Sequence, residues 1–305
     1  MKKVFKKVLL GFLFLWVSLL VYPVGYYVLD EKRDVSEFKD ATHKKYSGVG
    51  VYVINLDRSK ERLEYVMPQL QKLGLPIERI SAIDGKKLTQ KDLDEKVDFD
   101  TLNISYKHAY IGAIGCSMSH IKAWETFLKS DFEFAVVFED DVGFDAQKLR
   151  KAIDDLAENK NLWDVNTFNM YLFKNKKHKG LRVKALSDGQ DLLIYLKTTP
   201  CTGCYILNRK AALKYVEKAY PIKLAADDYY ARSWEFDIKF TGIEPCLVHQ
   251  EYGDSDLART GAMEKMFTSF QNPILSLKKI MYRVQKHHIA FYYNLKNYLF
   301  ETVEK

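Results

Sequence analysis

Short apolar runs alternate along this chain with segments of helical periodicity, and that alternation constrains the fold more than any other sequence feature. The run "VYVIN" at residues 51–55 is rich in β-branched residues and predicts a buried strand. Apolar residues then recur at spacings of three and four over residues 63–73, which predicts an amphipathic helix ending at Gly74. The sequence therefore predicts an α/β fold with a mostly parallel sheet.

Later segments repeat the pattern. Further helices are predicted over residues 112–130 and about 145–158, in "RKAALKYVEKA" and near "ADDYYARSWEFDIK". Further strands are predicted in "IERISAID", "EFAVVFEDD", "CYILN" and "GIEPCLV".

The N-terminus carries an uncharged apolar run at residues 8–29. A bilayer span needs roughly 20 such residues, and no small-residue cleavage site of a signal peptide follows the run. We therefore expect an uncleaved membrane anchor. The predicted layout is a basic flank at 1–7, the anchor at 8–29, a polar linker at 30–48, the α/β domain at 49–262 and a basic tail at 263–305.

The tail is the second candidate for membrane contact. Residues 274–300 contain lysines and arginines, no acid, and apolar residues at helical spacings. This pattern is typical of a basic amphipathic helix lying in a membrane interface. It equally fits a terminal helix packed on the domain with a solvated basic face.

The formal net charge of +7 favours anionic partners, which include a membrane surface and a phosphorylated substrate. Nucleic acid is not the expected partner. Lysines and arginines flank the apolar run on both sides, so they do not fix its orientation. The favoured location is a bacterial inner membrane with the domain in the cytoplasm, and the alternative is the lumen of the ER or Golgi.

Three adjacent acids interrupt the apolar stretch "FAVVFEDDVGF" at residues 134–144. They lie at the carboxyl end of a predicted strand, where α/β sheets collect ligands, and a cation would relieve their mutual repulsion. Glu139 and Asp141 point the same way if the chain stays extended. Their oxygens suit Mg²⁺ or Mn²⁺. The alternative is an acidic loop that caps the next helix.

The segments "VYVINLDRSKERLEYV", "GAIGCSMSHIKAWETFL", "AVVFEDDVGF", "CTGCYILNRKAALKYVE" and "EPCLVHQE" occur in this order. Together they resemble glycosyltransferase family 25, over roughly residues 50–252. The resemblance implies a GT-A type, Rossmann-like fold and a UDP-sugar donor, often UDP-galactose. It also implies inverting transfer of a hexose to a hydroxyl of a glycan or glycolipid acceptor, such as lipopolysaccharide or lipooligosaccharide.

The resemblance also implies roles for individual residues. The acids at 139–141 stand where GT-A enzymes keep a D-x-D-like motif that contacts the donor and a divalent cation. Asp141 is then the expected metal ligand, with Glu139 beside it, and Glu139 and Asp140 contact the donor. The residues expected to bind the donor around the first strand are Asn55, Leu56, Arg58 and Arg62. The arginines alternatively are solvated cations at a helix start.

An inverting transfer needs a base for the acceptor hydroxyl. Asp228 is the preferred candidate and Asp227 the next, although either can instead cap the helix that they begin. His120 is expected near the donor, and His249 in the metal shell. For both histidines the alternative is a structural hydrogen bond.

Two other functions compete with the transferase. A catalytically inactive relative could bind a glycan or act as a scaffold, and it would be free to lose the acids that this chain retains. A thiol oxidoreductase could use Cys201 and Cys204 of "CTGC". A single C-x-x-C is weak evidence for zinc or redox chemistry, so these cysteines are expected to be small buried residues.

Overall fold

The structure is a computed structural model that describes residues 31–39, 46–105, 111–169, 180–199, 201–251 and 273–302. The apolar run predicted as a membrane anchor, residues 8–29, lies outside them. None of the described helices is both long and apolar enough to cross a bilayer.

The described residues form one large sheet and one small sheet. The strands are β1 (Val49–Asn55), β2 (Ile77–Ser81), β3 (Phe134–Glu139), β4 (Val142–Phe144), β5 (Val165–Thr167), β6 (Gly180–Ala185), β7 (Asp191–Tyr195), β8 (Cys204–Asn208), β9 (Phe240–Glu244) and β10 (Val248–Gln250). The large sheet has the order β2-β1-β3-β8-β5-β9-β7-β6, and β10 pairs with β4. In the large sheet β7 and β8 run against the other strands. The α/β class with a mostly parallel sheet is confirmed, and the GT-A type stays a prediction.

The helices connect and cover these strands. They are α1 (Lys60–Gln71), α2 (Gln90–Lys96), α3 (Phe99–Ser105), α4 (Ile111–Lys129), α5 (Ala146–Glu158), α6 (Arg209–Glu217), α7 (Ala226–Tyr230), α8 (Ser233–Phe236) and α9 (Pro273–Asn297). Single turns of 3-10 helix lie at Ser36–Phe38, Gly85–Lys87 and Ser187–Gly189, and α9 continues into a π-helical turn at Tyr298–Thr302.

Helices cover both faces of the large sheet, because successive residues of a strand point to opposite sides. In β1, Tyr52 and Ile54 join one apolar cluster, to which α4 contributes Trp124. Val51 and Val53 join the other cluster, which contains residues of α1 and α5. Strands buried on both faces have nearly continuous apolar sequences, and this explains the runs in β1 and β3.

Two predicted elements are divided in the structure. The strand predicted in "GIEPCLV" breaks at Pro245, which has no N–H to donate, so β9 ends at Glu244 and β10 begins at Val248. The helix predicted near "ADDYYARSWEFDIK" consists of the short helices α7 and α8, with Ala231 and Arg232 between them.

The segment predicted as a linker is partly packed against the domain. Val35 and Phe38 are buried in the cluster that includes α4. The backbone N–H of Arg33 donates a hydrogen bond of 2.8 Å to the carbonyl of Glu217, at the end of α6. The domain therefore begins before β1.

Helix α9 also packs on the domain. Tyr282, Ala290 and Asn294 are buried. The Asn294 side chain accepts a hydrogen bond of 2.8 Å from the Ser233 hydroxyl and donates one of 2.8 Å to the carbonyl of Tyr195. These contacts agree with the interpretation of the tail as a terminal helix packed on the domain.

Arg209, at the start of α6, ties the end of α4 to the start of β3. Its guanidinium donates hydrogen bonds to four backbone carbonyls, those of Phe127, Leu128, Ser130 and Phe132. The last carbonyls of a helix have no partner within the helix, so this arginine acts as a cap. It therefore fixes the turn that connects α4 to β3.

Replacing Arg209 by Met is expected to lower the free energy of unfolding by about 2 kcal/mol or more, because partly buried carbonyls lose a charged donor. Urea denaturation followed by circular dichroism measures this loss. Lys91→Met is the control, since the Lys91 side chain is 82% exposed and should contribute under about 0.5 kcal/mol. Equal losses in the two variants would contradict the capping role.

Candidate active site

The parallel pairing of β1 and β3 aligns the ends of the two strands. Ile54 pairs with Glu139, so Asn55 and Asp140 lie side by side beyond them. The Asn55 amide donates a hydrogen bond of 2.6 Å to Asp140, and Arg62 of α1 lies 3.4 Å from the other carboxylate oxygen. Burial raises the pKa of Asp140, and the hydrogen bonds from these two residues oppose that rise.

Arg79 on β2 fixes the orientation of the Asn55 amide. Its Nε donates a hydrogen bond of 3.0 Å to Asn55 Oδ1. Because arginine only donates, the amide oxygen faces Arg79 and the amide nitrogen faces Asp140. Arg79 also forms an ion pair of 2.6 Å with Asp57. A cation on the neighbouring strand thus sets up the contact between Asn55 and the acids.

Glu139 is held by His120 of α4 and by Thr202, which precedes β8. Its Oε1 lies 3.3 Å from His120 Nε2 and accepts a hydrogen bond of 2.6 Å from the Thr202 hydroxyl. His120 Nδ1 lies 2.9 Å from the Tyr205 hydroxyl, to which Trp124 donates at 2.8 Å. Since tryptophan only donates, we assign the Tyr205 proton to His120 Nδ1, and His120 then donates from Nε2 to Glu139.

These contacts keep Glu139 ionised. Burial raises the pKa of this carboxyl, but the hydrogen bonds from His120 and Thr202, together with the charge of Arg62, lower it further than burial raises it. Glu139 is therefore a charged group within a largely buried network, and its charge acts on the other acids of the site.

Thr202 bridges Glu139 to Asp227 of α7. Its backbone nitrogen and its hydroxyl oxygen each lie 2.9 Å from Asp227 Oδ1. A hydroxyl has one proton, so it donates to only one of the two carboxylates at a time. Burial raises the pKa of Asp227 to about 6, the charge of Glu139 adds to the rise, and the Thr202 hydrogen bond opposes it.

Asp228 has a different environment, although it is adjacent in sequence. It forms an ion pair with Lys286 of α9, and both side chains are mostly buried. Neighbouring helical residues point about 100° apart, so only one of the two acids faces the acid cluster. Asp228 is the base that the sequence favours, but the structure brings Asp227 to Glu139 and pairs Asp228 with a lysine.

Asp141 is buried with one carboxylate oxygen unpaired. Its Oδ2 accepts a hydrogen bond of 3.0 Å from Gln250, while Oδ1 has no partner among the described residues. Burial and the charge of Glu139 raise the pKa of Asp141 to about 6. An unpaired buried oxygen is costly, and a bound cation would satisfy it.

Strand β10 presents Gln250, and not His249, to Asp141. His249 pairs with Gly143 in the small sheet, and its side chain is exposed. Neighbouring residues of a strand point to opposite faces, so the His249 ring is directed away from the acids. The structure does not bring this predicted metal ligand to the site.

A single cleft collects most of the predicted residues. Leu56, Arg58 and Arg62 line it on the side of β1 and α1, and the acids at 139–141 line its floor with His120. Arg58 forms an ion pair with Asp84. The cleft adjoins a second pocket, which Leu56 and Arg58 also line.

The oxygen ligands of this cleft fit a hard divalent cation. The unpaired oxygen of Asp141 and the ionised carboxylate of Glu139 are the ligand type that Mg²⁺ and Mn²⁺ prefer. Cys201 and Cys204 do not have the character of a redox pair. Both are free thiols, and burial raises the pKa of each, whereas reactive cysteines have lowered pKa values.

Comparison with known protein families identifies the chain. The model described as "Glycosyltransferase family 25 (LPS biosynthesis protein)" matches residues 49–230, more than half of the chain. The chain belongs to glycosyltransferase family 25. The matched region of this family 25 chain includes Asn55, Arg62, the acids at 139–141, Thr202 and Asp227.

Several curated relatives are similar to this family 25 chain. A "Glycosyltransferase 25 family member" of Anopheles gambiae is 28% identical over 227 residues, covering 70% of the chain and 36% of the relative. "Procollagen galactosyltransferase 2" of Homo sapiens is 30% identical over 128 residues, covering 38% and 20%. "Probable inactive glycosyltransferase 25 family member 3" of Bos taurus is 24% identical over 231 residues, covering 68% and 38%.

The chain thus spans about a third of the length of the curated relatives it matches. Among solved structures, S. aureus TarS 1-349 is similar at 12% identity, with 83% of this chain and 74% of that chain covered and a TM-score of 0.38.

Three residues of this family 25 site are not among those predicted from the sequence. Thr202 lies inside "CTGC", where the cysteines are the more obvious signal. A hydroxyl just before a strand that pairs with β3 is nevertheless placed to reach the acids. Arg79 and Gln250 contact the acids or their partners, but no local pattern distinguishes them from surface residues.

Replacing Asp141 by Asn is expected to stabilise the metal-free protein at neutral pH. The pKa of an unfolded aspartate is about 3.9, and burial raises that of Asp141 to about 6. The contribution of this carboxyl to folding stability is therefore fully present below about pH 4, and it is lost as the pH rises through 6. The free energy of unfolding of Asp141→Asn should exceed that of wild type by about 3 kcal/mol at pH 8, and this difference should disappear toward pH 4.

Urea denaturation in EDTA at several pH values measures that gap. Asp154→Asn is the control, because Asp154 is exposed in a surface ion pair with Arg150 and should change stability by under about 1 kcal/mol at every pH. A difference between Asp141→Asn and wild type that does not vary with pH would contradict the prediction.

Proposed function

We propose that this chain is an inverting glycosyltransferase that transfers a hexose, galactose being the expected sugar, from a UDP-sugar to a hydroxyl of a glycan such as lipopolysaccharide or lipooligosaccharide. The observation that carries the proposal is the position of Asp227, which lies across Thr202 from Glu139. The opposite side of the acid cluster is formed by Asn55 and Arg62. A candidate base is thus connected through Thr202 to the acids that line the cleft beside the donor-binding groups.

The donor binds, on this proposal, where β1 meets α1. The guanidinium groups of Arg58 and Arg62 suit a diphosphate, because their planar fork matches two phosphate oxygens. Asp140 is buried between Asn55 and Arg62 and is available to accept a hydrogen bond from a ribose hydroxyl. The relative named procollagen galactosyltransferase supports galactose as the sugar.

A divalent cation, Mn²⁺ or Mg²⁺, would be held by Asp141 and Glu139. When bound, it would neutralise the negative charge that develops on the diphosphate. Gln250 holds one oxygen of Asp141, so the orientation of the carboxylate is set before any ion arrives. Preorganisation of this kind avoids a reorganisation cost during the reaction.

Asp227 supplies the base. The acceptor hydroxyl gives its proton to Asp227 while its oxygen bonds to the anomeric carbon of the sugar, and the bond from that carbon to the diphosphate oxygen breaks to release UDP. Attack opposite to the leaving group inverts the configuration. Thr202 fixes the Asp227 carboxylate through its backbone N–H and its hydroxyl. A pKa of about 6 keeps Asp227 ionised at neutral pH.

Replacing Asp227 by Asn should lower kcat by about 10²–10⁴-fold, because the base is lost. Donor affinity should change much less than kcat, because Asp227 is connected to Glu139 only through Thr202. In wild type, kcat/KM should fall as the pH drops through about 6, where Asp227 becomes protonated. Steady-state release of UDP and calorimetry with UDP measure the two quantities.

Asp228→Asn is the matched control, because it removes a neighbouring carboxylate that is paired with Lys286. Circular dichroism establishes that both variants are folded. Near-normal turnover in Asp227→Asn, together with loss of turnover in folded Asp228→Asn, would transfer the role of base to Asp228.

The donor and the cation are tested together. UDP release from a panel of UDP-sugars is measured with Mn²⁺, with Mg²⁺ and with EDTA. We expect UDP-galactose to be turned over, and EDTA and Asp141→Asn each to abolish turnover. Turnover indifferent to EDTA and to Asp141→Asn would refute the cation role and leave the transferase standing.

A second candidate is an inactive glycan-binding or scaffold protein. Relatives in Bos taurus and Rattus norvegicus are named probable inactive members of the family. This chain retains the acids at 139–141 and Asp227, and their hydrogen-bond network is intact. Donor binding without turnover, from a demonstrably folded protein, would favour this candidate.

The acceptor is proposed to lie at a membrane, with residues 8–29 as the anchor and the inner membrane of a bacterium as the location. The outward side of α9 and the π-helical turn after it supports this proposal, since it exposes Phe291, Tyr292, Leu299 and Phe300. Apolar side chains beside lysines are typical of surfaces that meet lipid.

A further inference from the structure

Three side chains with metal-binding atoms meet in the cleft apart from Asp141. Cys116 and His120 are four residues apart on α4, so they project from the same side of the helix. Glu139 reaches them from the end of β3. The sulfur, a ring nitrogen and a carboxylate oxygen of these residues all lie within 4.8 Å of one another.

All three side chains line the cleft, although His120 itself is fully buried. Burial also raises the pKa of the Cys116 thiol, and a bound cation would oppose that rise by stabilising the thiolate.

Gly85 and Gly115 allow this wall of the cleft to be built. A Cβ at Gly85 would collide with the carbonyl of Ile111, and a Cβ at Gly115 would lie 2.6 Å from the carbonyl of Ile83. The first turns of α4 therefore pack directly on the loop after β2 and bring Cys116 to the cleft.

One of the distances already matches that of a tetrahedral zinc centre. Zinc bonds of about 2.0–2.3 Å to nitrogen, oxygen and sulfur place neighbouring ligand atoms about 3.3–3.6 Å apart. His120 Nε2 and Glu139 Oε1 are already 3.3 Å apart. Small side-chain rotations of Cys116 would bring its sulfur to the same spacing.

The surrounding hydrogen bonds become those of a metal ligand set once the His120 proton lies on Nδ1. Histidines that bind metal are usually oriented through their second ring nitrogen, and His120 Nδ1 contacts the Tyr205 hydroxyl, which Trp124 fixes in turn. Glu139 is oriented by Thr202. Two of the three ligands are therefore held in place by other residues.

We propose that Cys116, His120 and Glu139 form a second cation site, selective for a thiophilic ion such as Zn²⁺, whose occupation inhibits the enzyme. Thiolate and imidazole favour Zn²⁺ over Mg²⁺ or Mn²⁺, which distinguishes this site from the oxygen ligands of Asp141. On binding, the Cys116 thiol releases its proton to water. The His120 proton moves from Nε2 to Nδ1, and the Tyr205 hydroxyl turns its own proton away and accepts a hydrogen bond from Nδ1. Inhibition follows because Glu139 belongs to both sites, and this part rests on the proposed function.

Cobalt(II) is the first probe, because a cobalt–thiolate bond absorbs in the near ultraviolet. The metal-free full chain should take up one equivalent of Co²⁺ with this absorption, and Zn²⁺ should displace it. Cys116→Ser should abolish the absorption. Cys246→Ser should keep it, because Cys246 packs against Leu193 and Tyr195, in a separate cluster. Absorption that persists in Cys116→Ser would overturn the proposal.

Alkylation of the wild-type protein provides a measurement that needs no variant to fold. Zn²⁺ should slow the reaction of Cys116 with iodoacetamide by about tenfold or more, as followed by peptide mass spectrometry, and Mg²⁺ should not. Asp141→Asn should keep this zinc protection. Loss of protection in that variant would show a single shared site, and absence of protection in wild type would show no site; either result overturns the proposal.

Inhibition is measured separately. Cys116→Ser should raise the Zn²⁺ concentration for half-inhibition by about tenfold or more, relative to its own uninhibited rate. If Cys116→Ser is active and Zn²⁺ inhibits it as strongly as it inhibits wild type, the inhibitory role is refuted. A chain with no transferase activity would refute the proposed function, while the cobalt and alkylation results would still decide whether the metal site exists.

Discussion

The parallel register of β1 and β3 is the constraint on which the rest of this site depends. It places Asn55 next to Asp140 and directs three successive carboxylates into one cleft. Such a cluster survives only because each acid is compensated by a different element. Helix α1 and β1 hold Asp140, α4 and the approach to β8 hold Glu139, and β10 holds one oxygen of Asp141. The remaining unpaired oxygen is where we place the cation.

Much of this arrangement could be predicted from sequence, because the signals are local. Apolar runs and helical periodicity located β1, β3, α1 and α4, and the order of elements indicated the α/β class. The three acids were recognisable because charge at the end of a buried strand is energetically unusual. Arg62 follows the first strand closely enough that a position near the donor could be predicted for it.

The rest depends on contacts between distant residues or on the phase of short elements. Thr202 meets Glu139 across 63 positions, and Lys286 meets Asp228 across 58, so no local pattern reveals either pair. Whether Asp227 or Asp228 faces the acid cluster depends on the orientation of a five-residue helix about its own axis. The expectation for His249 depended on which face a three-residue strand presents, and a single-residue shift reverses that face.

The docking of α9 has a consequence for the order in which the protein becomes functional during its synthesis. Domains fold as the chain emerges from the ribosome, N-terminal parts first. The strands and acids of the cleft are made early, yet Asp228 gains its partner, Lys286, only after a further 58 residues have been added. Until then a partly buried carboxylate beside Asp227 lacks its counterion. A nascent chain can therefore fold its sheet before the helix that carries Asp227 and Asp228 has its final charge.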